Sequence, residues 1–165
     1  MIRKCYRRIR TFFFTNLCKK TANQYGTKLY INHWCKFTKK TSIGNNCHFN
    51  GIKITGNGKV TIGHNFHSGK GLLILTSNHN YEGDAIPYDN TMIDGDVIIE
   101  NNVWIGQNVT ILQGVKIGEG AIIQAGSVVV SDIEACSIAG GHPAKVFKKR
   151  NIEHYELLKR EAKYF

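Results

Sequence analysis

The chain has 165 residues, enough for one domain to bury a core without disulfide staples. Its composition is that of an ordinary globular protein apart from 17 Gly, only two Pro and a formal charge of +10. Five cysteines (Cys5, Cys18, Cys35, Cys47 and Cys136), an odd number with no CxxC pair, argue against a disulfide framework and for a reduced, cytoplasmic setting.

The charge is uneven along the chain. Residues 1–40 hold 11 Lys/Arg and no Asp or Glu, whereas residues 41–165 hold 11 against 12, so the basicity is assigned to an N-terminal segment and not to the body. That segment, residues 1–24, contains "IRKCYRRIRTFFFTNLCKK", a basic amphipathic pattern with Ile2, Tyr6, Ile9, Phe13 and Leu17. Phe12-Phe13-Phe14 is far too short for a membrane span, and no cleavage site of the signal-peptide kind follows it. Two roles suit the segment. It can cap the open end of a β structure, or it can dock on an anionic membrane surface at the inner face of a membrane.

Residues 25–145 count in sixes. Ile31, Phe37, Ile43 and Phe49 keep the step, with Cys35, Thr41 and Cys47 four residues on; the cysteines then read as small core residues. The phase slips by one around "GIKITGNGKV" and resumes at Ile62, Ser68 and Ile74. From Ile93 the period is strict: Ile99, Ile105, Ile111, Ile117, Ile123 and Val129, with Val97, Val103, Val109, Val115, Ala121, Ser127 and Ile133 four residues after successive members. A helix needs a period of 3.6 and a plain strand a period of 2, so a six fits neither. It fits short strands joined by turns, each strand placing one aliphatic inward and each turn taking a small residue, which is the stacked-coil logic of a parallel β-helix.

The count fails at "TSNHNYEGDAIPYDN", where Gly, Asn and Pro87 favour turns, so a loop over residues 76–92 is expected to leave the coil. After Ala139 the pattern ends, and residues 146–165 form a tail and a terminal helix with Ile152, Tyr155, Leu158 and Ala162 along one face.

"IENNVWIGQNVTILQGVKIGEGAIIQAGSVVVSDI" followed by "AGGHPAKVFKKR" resembles the C-terminal half of the hexapeptide-repeat acyltransferases, the family of galactoside, maltose, serine, xenobiotic and capsule or lipopolysaccharide acetyltransferases. The likeness runs from about Ile43 to Arg150 and is nearest to the small capsule-type sugar O-acetyltransferases. It implies an all-β left-handed parallel β-helix, a homotrimer, acetyl-CoA as co-substrate, no metal, and active sites between neighbouring subunits. The family's catalytic histidine follows a "TxTH"-like step, which places it at His79 in "TSNH". Trp104 matches the site-lining tryptophan, and Gln107, Ala125, Ser131, Lys145 and Lys148 match positions along the CoA. An acceptor-binding asparagine falls on Asn50, and Asn78 beside the catalytic position is a second acceptor candidate. The acceptor-binding aspartate of the galactoside enzyme falls near Asn57 or Gly58, where no carboxylate stands, so a different acceptor is expected.

The chemistry agrees with that assignment. Acetyl transfer from a thioester to a hydroxyl needs a base for the alcohol proton, and an imidazole serves near neutral pH. Glu82 or Asp84 could orient the His79 ring, while His33, His48, His64 and His154 read as surface or turn residues without function. A sugar of a surface polysaccharide or its precursor is the expected acceptor, with a small antibiotic or an amino acid behind it. Two readings of other kinds stay open: a non-catalytic β-helix assembly subunit, and a γ-class carbonic-anhydrase-like metal site on His64, His67 and His79. The coil lacks interleaved aromatic and basic residues and a phosphate-cradling glycine loop, so no nucleic-acid partner is expected.

Overall fold

The computed structural model describes residues 2–165, with side chains from Arg8 onward. Ile2, Cys5 and Tyr6, named above, lie outside the residues whose side chains are described. Helix α1 (Ile2–Lys19) leads into a parallel β-solenoid of about six turns, and helix α2 (Ile152–Arg160) ends the regular structure. Three sheets form the faces of the solenoid, and consecutive strands move from one face to the next.

The period of six is the length of one face. On the first face the register stacks Ile43, Ile62, Ile99, Ile117 and Ile133. On the second it stacks Ile31 on Phe49 and Ser68 on Ile105, Ile123 and Ala139. On the third it stacks Ile54, Ile74, Ile111 and Val129. All of these side chains are buried, and each inward Ile contributes roughly 1.5–3 kcal/mol. The residue two positions before each aliphatic is buried as well, as at Val97, Val103, Val109 and Val115. Each unit therefore sends two side chains inward. Cys35 and Cys47 are core residues as read, within 1% and 0% of full burial. Gly106 follows Ile105 at a corner where a Cβ would collide with the Ala125 backbone of the next coil. Successive coils approach that closely only with glycine there.

Asparagine serves the opposite corner. Asn46, Asn65 and Asn102 hold left-handed backbone (φ 56, 54 and 60°), which their short polar side chains tolerate better than most. Their amides form a ladder from coil to coil, Asn46 to Asn65 at 3.0 Å and Asn65 to Asn102 at 2.8 Å.

Three sequence expectations about where the coil begins, breaks and ends are corrected. Ile93 does not begin the inward column; it is 40% exposed and lies outside the coil. The stretch that leaves the coil is no simple loop but a hairpin, with Ser77–His79 paired antiparallel to Met92–Asp94, because its two arms find each other once they clear the solenoid. Its base closes where the Gly95 N–H donates to the Thr76 carbonyl (3.0 Å), returning the chain to the first face. Finally, residues 144–149 are strand: Ala144–Lys149 turns back antiparallel on Ser137–Gly141 and covers part of the last coil.

α1 closes the N-terminal end. The Thr15 hydroxyl accepts from the Ile31 N–H (3.1 Å), and the Cys18 thiol donates to the Cys35 carbonyl (3.1 Å). These are strand-edge groups of the first coil that α1 satisfies. At the other end α2 is anchored by Tyr155, whose hydroxyl meets Glu119 (3.0 Å) and Asn102 (2.8 Å) while Lys159 pairs with Glu119 (2.6 Å). Ile152, expected on the packed face, is exposed, and Ala162 lies beyond the helix. No helix among the described residues is long and apolar enough to cross a membrane.

Candidate active site

The hairpin lifts His79 off the solenoid. Its arm Ser77–His79 leaves the third face at buried Thr76, whose hydroxyl donates to the Thr55 carbonyl (3.0 Å) and fixes the exit. Ser77 Oγ bonds Asp94 across the base of the hairpin and accepts from the Asn57 N–H (2.7 Å). At the tip, Asp89 accepts from Thr91 N and Oγ1 and from the Asp84 N–H; these bonds hold its carboxyl below the usual range.

His79 itself is exposed, and its ring stacks on Tyr88 with centroids 3.8 Å apart and planes 15° off parallel. The His79 backbone N–H donates to Asn78 Oδ1 (3.0 Å). The expectation that Glu82 or Asp84 orients the ring is not met within the chain. The backbone N–H groups of these two residues are tied to Asn80 and Asp89, and among the described residues neither carboxylate bonds the imidazole. The stacking partner Tyr88 went unrecognised in the sequence, where a lone tyrosine after Pro87 carries no spacing signal.

The other candidates lie elsewhere. Trp104 faces outward on the second face, 56% exposed, in register with His67 and Ile122. With Asn102, Tyr155 and Leu158 it lines a cavity of ≈ 450 Å³ between that face and the C-terminal segment. Gln107 and Ala125 stand exposed at the next corner, between the second and third faces, one coil apart. Ser131 is exposed between the third face and the first. Lys145 and Lys148 are exposed on the returning strand, opposite Gly140 and Ile138; their neighbour Lys149 is paired with Glu134. Asn50 is committed at both ends, donating to the Ser68 carbonyl (2.7 Å) and accepting from Asn32 (3.1 Å). Asn78 is exposed on the hairpin beside His79. One chain thus gathers Trp104, Gln107 and Ala125 on the second face and its edge, and His79, Asn78 and Ser131 at the opposite corner.

The histidines of the metal reading are also scattered. His64 accepts from the Asn45 N–H at a turn (2.8 Å), His67 sits on the second face and His79 on the hairpin. Among the described residues no group of three or more His, Cys, Asp or Glu could hold a metal ion.

The second face holds a ladder that the sequence reading overlooked. Tyr30, His48 and His67 stack ring on ring at 4.4 and 4.3 Å, and the Phe165 ring lies against both imidazoles. Burial, then the neighbouring His67, pushes His48 down to about 4, and burial lowers His67. The signal was available: these residues are one coil apart in sequence, and a solenoid stacks whatever recurs at one coil.

Residues 89–131 match the family model described as bacterial transferase hexapeptide (six repeats). No curated protein matches the chain. Among solved structures, a hexapeptide-repeat-containing acetyltransferase from Vibrio cholerae is similar at 27% identity and TM-score 0.68, covering 84% of this chain and 80% of that one. A further structure of it is complexed with acetyl coenzyme A. A galactoside acetyltransferase in complex with coenzyme A is similar at 27% identity and TM-score 0.72, covering 86% and 72% of the two chains. A maltose O-acetyltransferase from Clostridium difficile 630 is similar at 25% identity and TM-score 0.61, covering 87% and 84%. The chain is a parallel β-solenoid, and residues 89–131 of it carry the transferase hexapeptide repeat. Its structural neighbours include hexapeptide-repeat acetyltransferases and an N-acyltransferase.

Proposed function

We propose that the protein is an acetyl-CoA-dependent O-acetyltransferase whose acceptor is a hydroxyl of a sugar or surface-polysaccharide precursor, with His79 as the general base. The observation that carries this reading is the hairpin: a braced excursion from the coil that presents an imidazole stacked on Tyr88. Two neighbours of the same fold, the Vibrio cholerae acetyltransferase complexed with acetyl coenzyme A and the galactoside acetyltransferase in complex with coenzyme A, support the donor, and those named for galactoside and maltose support the acceptor class.

The site would be completed between copies of the chain. His79 and Trp104 occupy different sides of one solenoid, so a homotrimer that sets the hairpin of one protomer against the second face of another would unite them. Lys145 and Lys148 supply positive charge on that face's returning strand, suited to the phosphates of CoA. In the reaction the imidazole takes the acceptor hydroxyl proton as the oxygen attacks the thioester carbonyl. The tetrahedral intermediate then collapses, the C–S bond breaks, and the imidazolium returns the proton to the CoA thiolate. The four described cysteines, all free and buried, suit a reducing cytoplasm.

The test is acetyl-CoA turnover across a panel of sugars and sugar precursors, with CoA detected by its free thiol. Acceptor-dependent thiol release from at least one sugar is expected. Release that no hydroxyl acceptor stimulates would overturn the reading.

A further inference from the structure

α1 has two apolar sides, and the solenoid uses one. Phe14, Thr15 and Cys18 turn inward onto the first coil. Ile9, Phe12, Phe13 and Leu17, at spacing i, i+3, i+4 and i+8, face away and are 63, 73, 62 and 38% exposed. Single exposed apolar residues are ordinary, but four on one stripe of one helix mark a contact surface. Exposed Arg8 and Lys20 stand at its two ends.

The charge distribution says what that surface meets. No acidic residue occurs before Glu82: residues 1–81 hold 14 Lys/Arg and no Asp or Glu, whereas residues 82–165 hold 8 Lys/Arg against 12 Asp/Glu. The basicity therefore does not end with the N-terminal segment, as the division at residue 40 suggested. In a solenoid, position in sequence is position along the axis. Hence α1 and the coils before the hairpin form a uniformly cationic half, and the coils after it are net acidic. The apolar stripe lies at the positive pole.

We propose that the α1 end docks on an anionic lipid surface, with Ile9, Phe12, Phe13 and Leu17 entering the headgroup region and the surrounding Lys/Arg held by anionic headgroups. A large apolar stripe on a cationic helix is the composition of an interfacial anchor, and cations close to such a surface add to the binding. A second copy of the chain fits worse, since two cationic poles would be brought together. A polynucleotide would use the charge but leave the aliphatic part of the stripe without a partner.

The experiment is co-sedimentation of the full chain with phosphatidylcholine vesicles, with and without phosphatidylglycerol. Binding is expected only with the anionic lipid, and raising salt from about 0.1 to 0.5 M should release it. Arg8→Glu with Lys20→Glu should weaken binding by roughly fivefold per charge removed or more. Phe12→Ser with Phe13→Ser should weaken it by about tenfold or more. Melting temperature monitors the cap in each variant, and the parent's lipid and salt dependence stands even if a variant fails to fold. Equal binding to both vesicle types, or to neither, overturns the proposal. So does vesicle binding that the serine pair leaves unchanged while single-stranded RNA competes it away, which would make the pole a polyanion site. A serine pair that instead lowers the oligomeric state in sedimentation would show that the stripe is covered by another copy.

Discussion

At the scale of single residues, the unusual feature is an imidazole held by an aromatic face in place of a carboxylate. Stacking on Tyr88 fixes the plane of the His79 ring and leaves both ring nitrogens without a carboxylate partner in the described chain. That arrangement suits a base that must accept a proton and then release it. His79→Asn keeps polarity and approximate size without basicity. It should lower turnover by about 10²–10⁴ while acetyl-CoA binding and melting temperature stay near the parent's. Parent-level turnover with the true acceptor would remove His79 from the mechanism. The place of His79 outside the coil was legible in the sequence because it stands where the period breaks. Tyr88 was not, since a ring that approaches across a hairpin has no fixed spacing from its partner. The same limit hid the partners of Tyr155, a residue the helical pattern did place on the packed face, because Asn102 and Glu119 lie 53 and 36 residues away.

Among the elements, the coil was the most legible. A strict six predicts stacked identical side chains, and Ile99 over Ile117 or Ile105 over Ile123 is what the register shows. The hairpin was half legible: the loss of period gave its position, but pairing of Ser77–His79 with Met92–Asp94 depends on arms that meet only after leaving the coil. The stacked core is brittle to charge. Ile111→Asp, at 0% exposure within the third-face column, should cost about 4 kcal/mol or more and unfold the protein. Thr61→Asp, outward on the first face, should stay within about 0.5 kcal/mol, and thermal melting distinguishes the two. The C-terminal segment has its own sensitivity. Phe165 rests on His48 and His67, both of which are held below the usual imidazole value of 6.5. Arg8, Arg10 and Lys19 of α1 line the same cavity as the pair, and their positive charge disfavours a further proton there. The unfolded chain therefore binds protons that the folded chain resists. Stability from this pair is full above about pH 6.5 and is lost as pH falls toward 4. The melting temperature should drop over that window, and His48→Gln should flatten the drop. An unchanged slope in the variant would assign the acid sensitivity elsewhere.

On the scale of the whole molecule, the proposed site joins two residues, His79 and Trp104, that stand on different sides of one solenoid. Trp104 points out of the second face, and the hairpin with His79 leaves between the third face and the first. Hydrogen-bonded, close-packed coils separate the two within one chain, so no small motion carries one to the other. If the site forms between protomers of a ring, each site takes His79 from one chain and Trp104 from its neighbour. Two defective variants should then rescue each other. His79→Asn and Trp104→Ala, each impaired alone, are mixed in equal amounts, dissociated and reassembled. A site is whole wherever a chain with intact His79 precedes a chain with intact Trp104, so about a quarter of the parent's activity should return in a randomly mixed ring. The double variant, carrying both changes in one chain and mixed with parent, serves as the reference for assembly. If both groups served from the same chain, every site in the first mixture would lack one of them and no activity would reappear. Absence of rescue, with mixed assemblies demonstrated by differently tagged chains, would place the site within one protomer and would require another partner than Trp104 for His79.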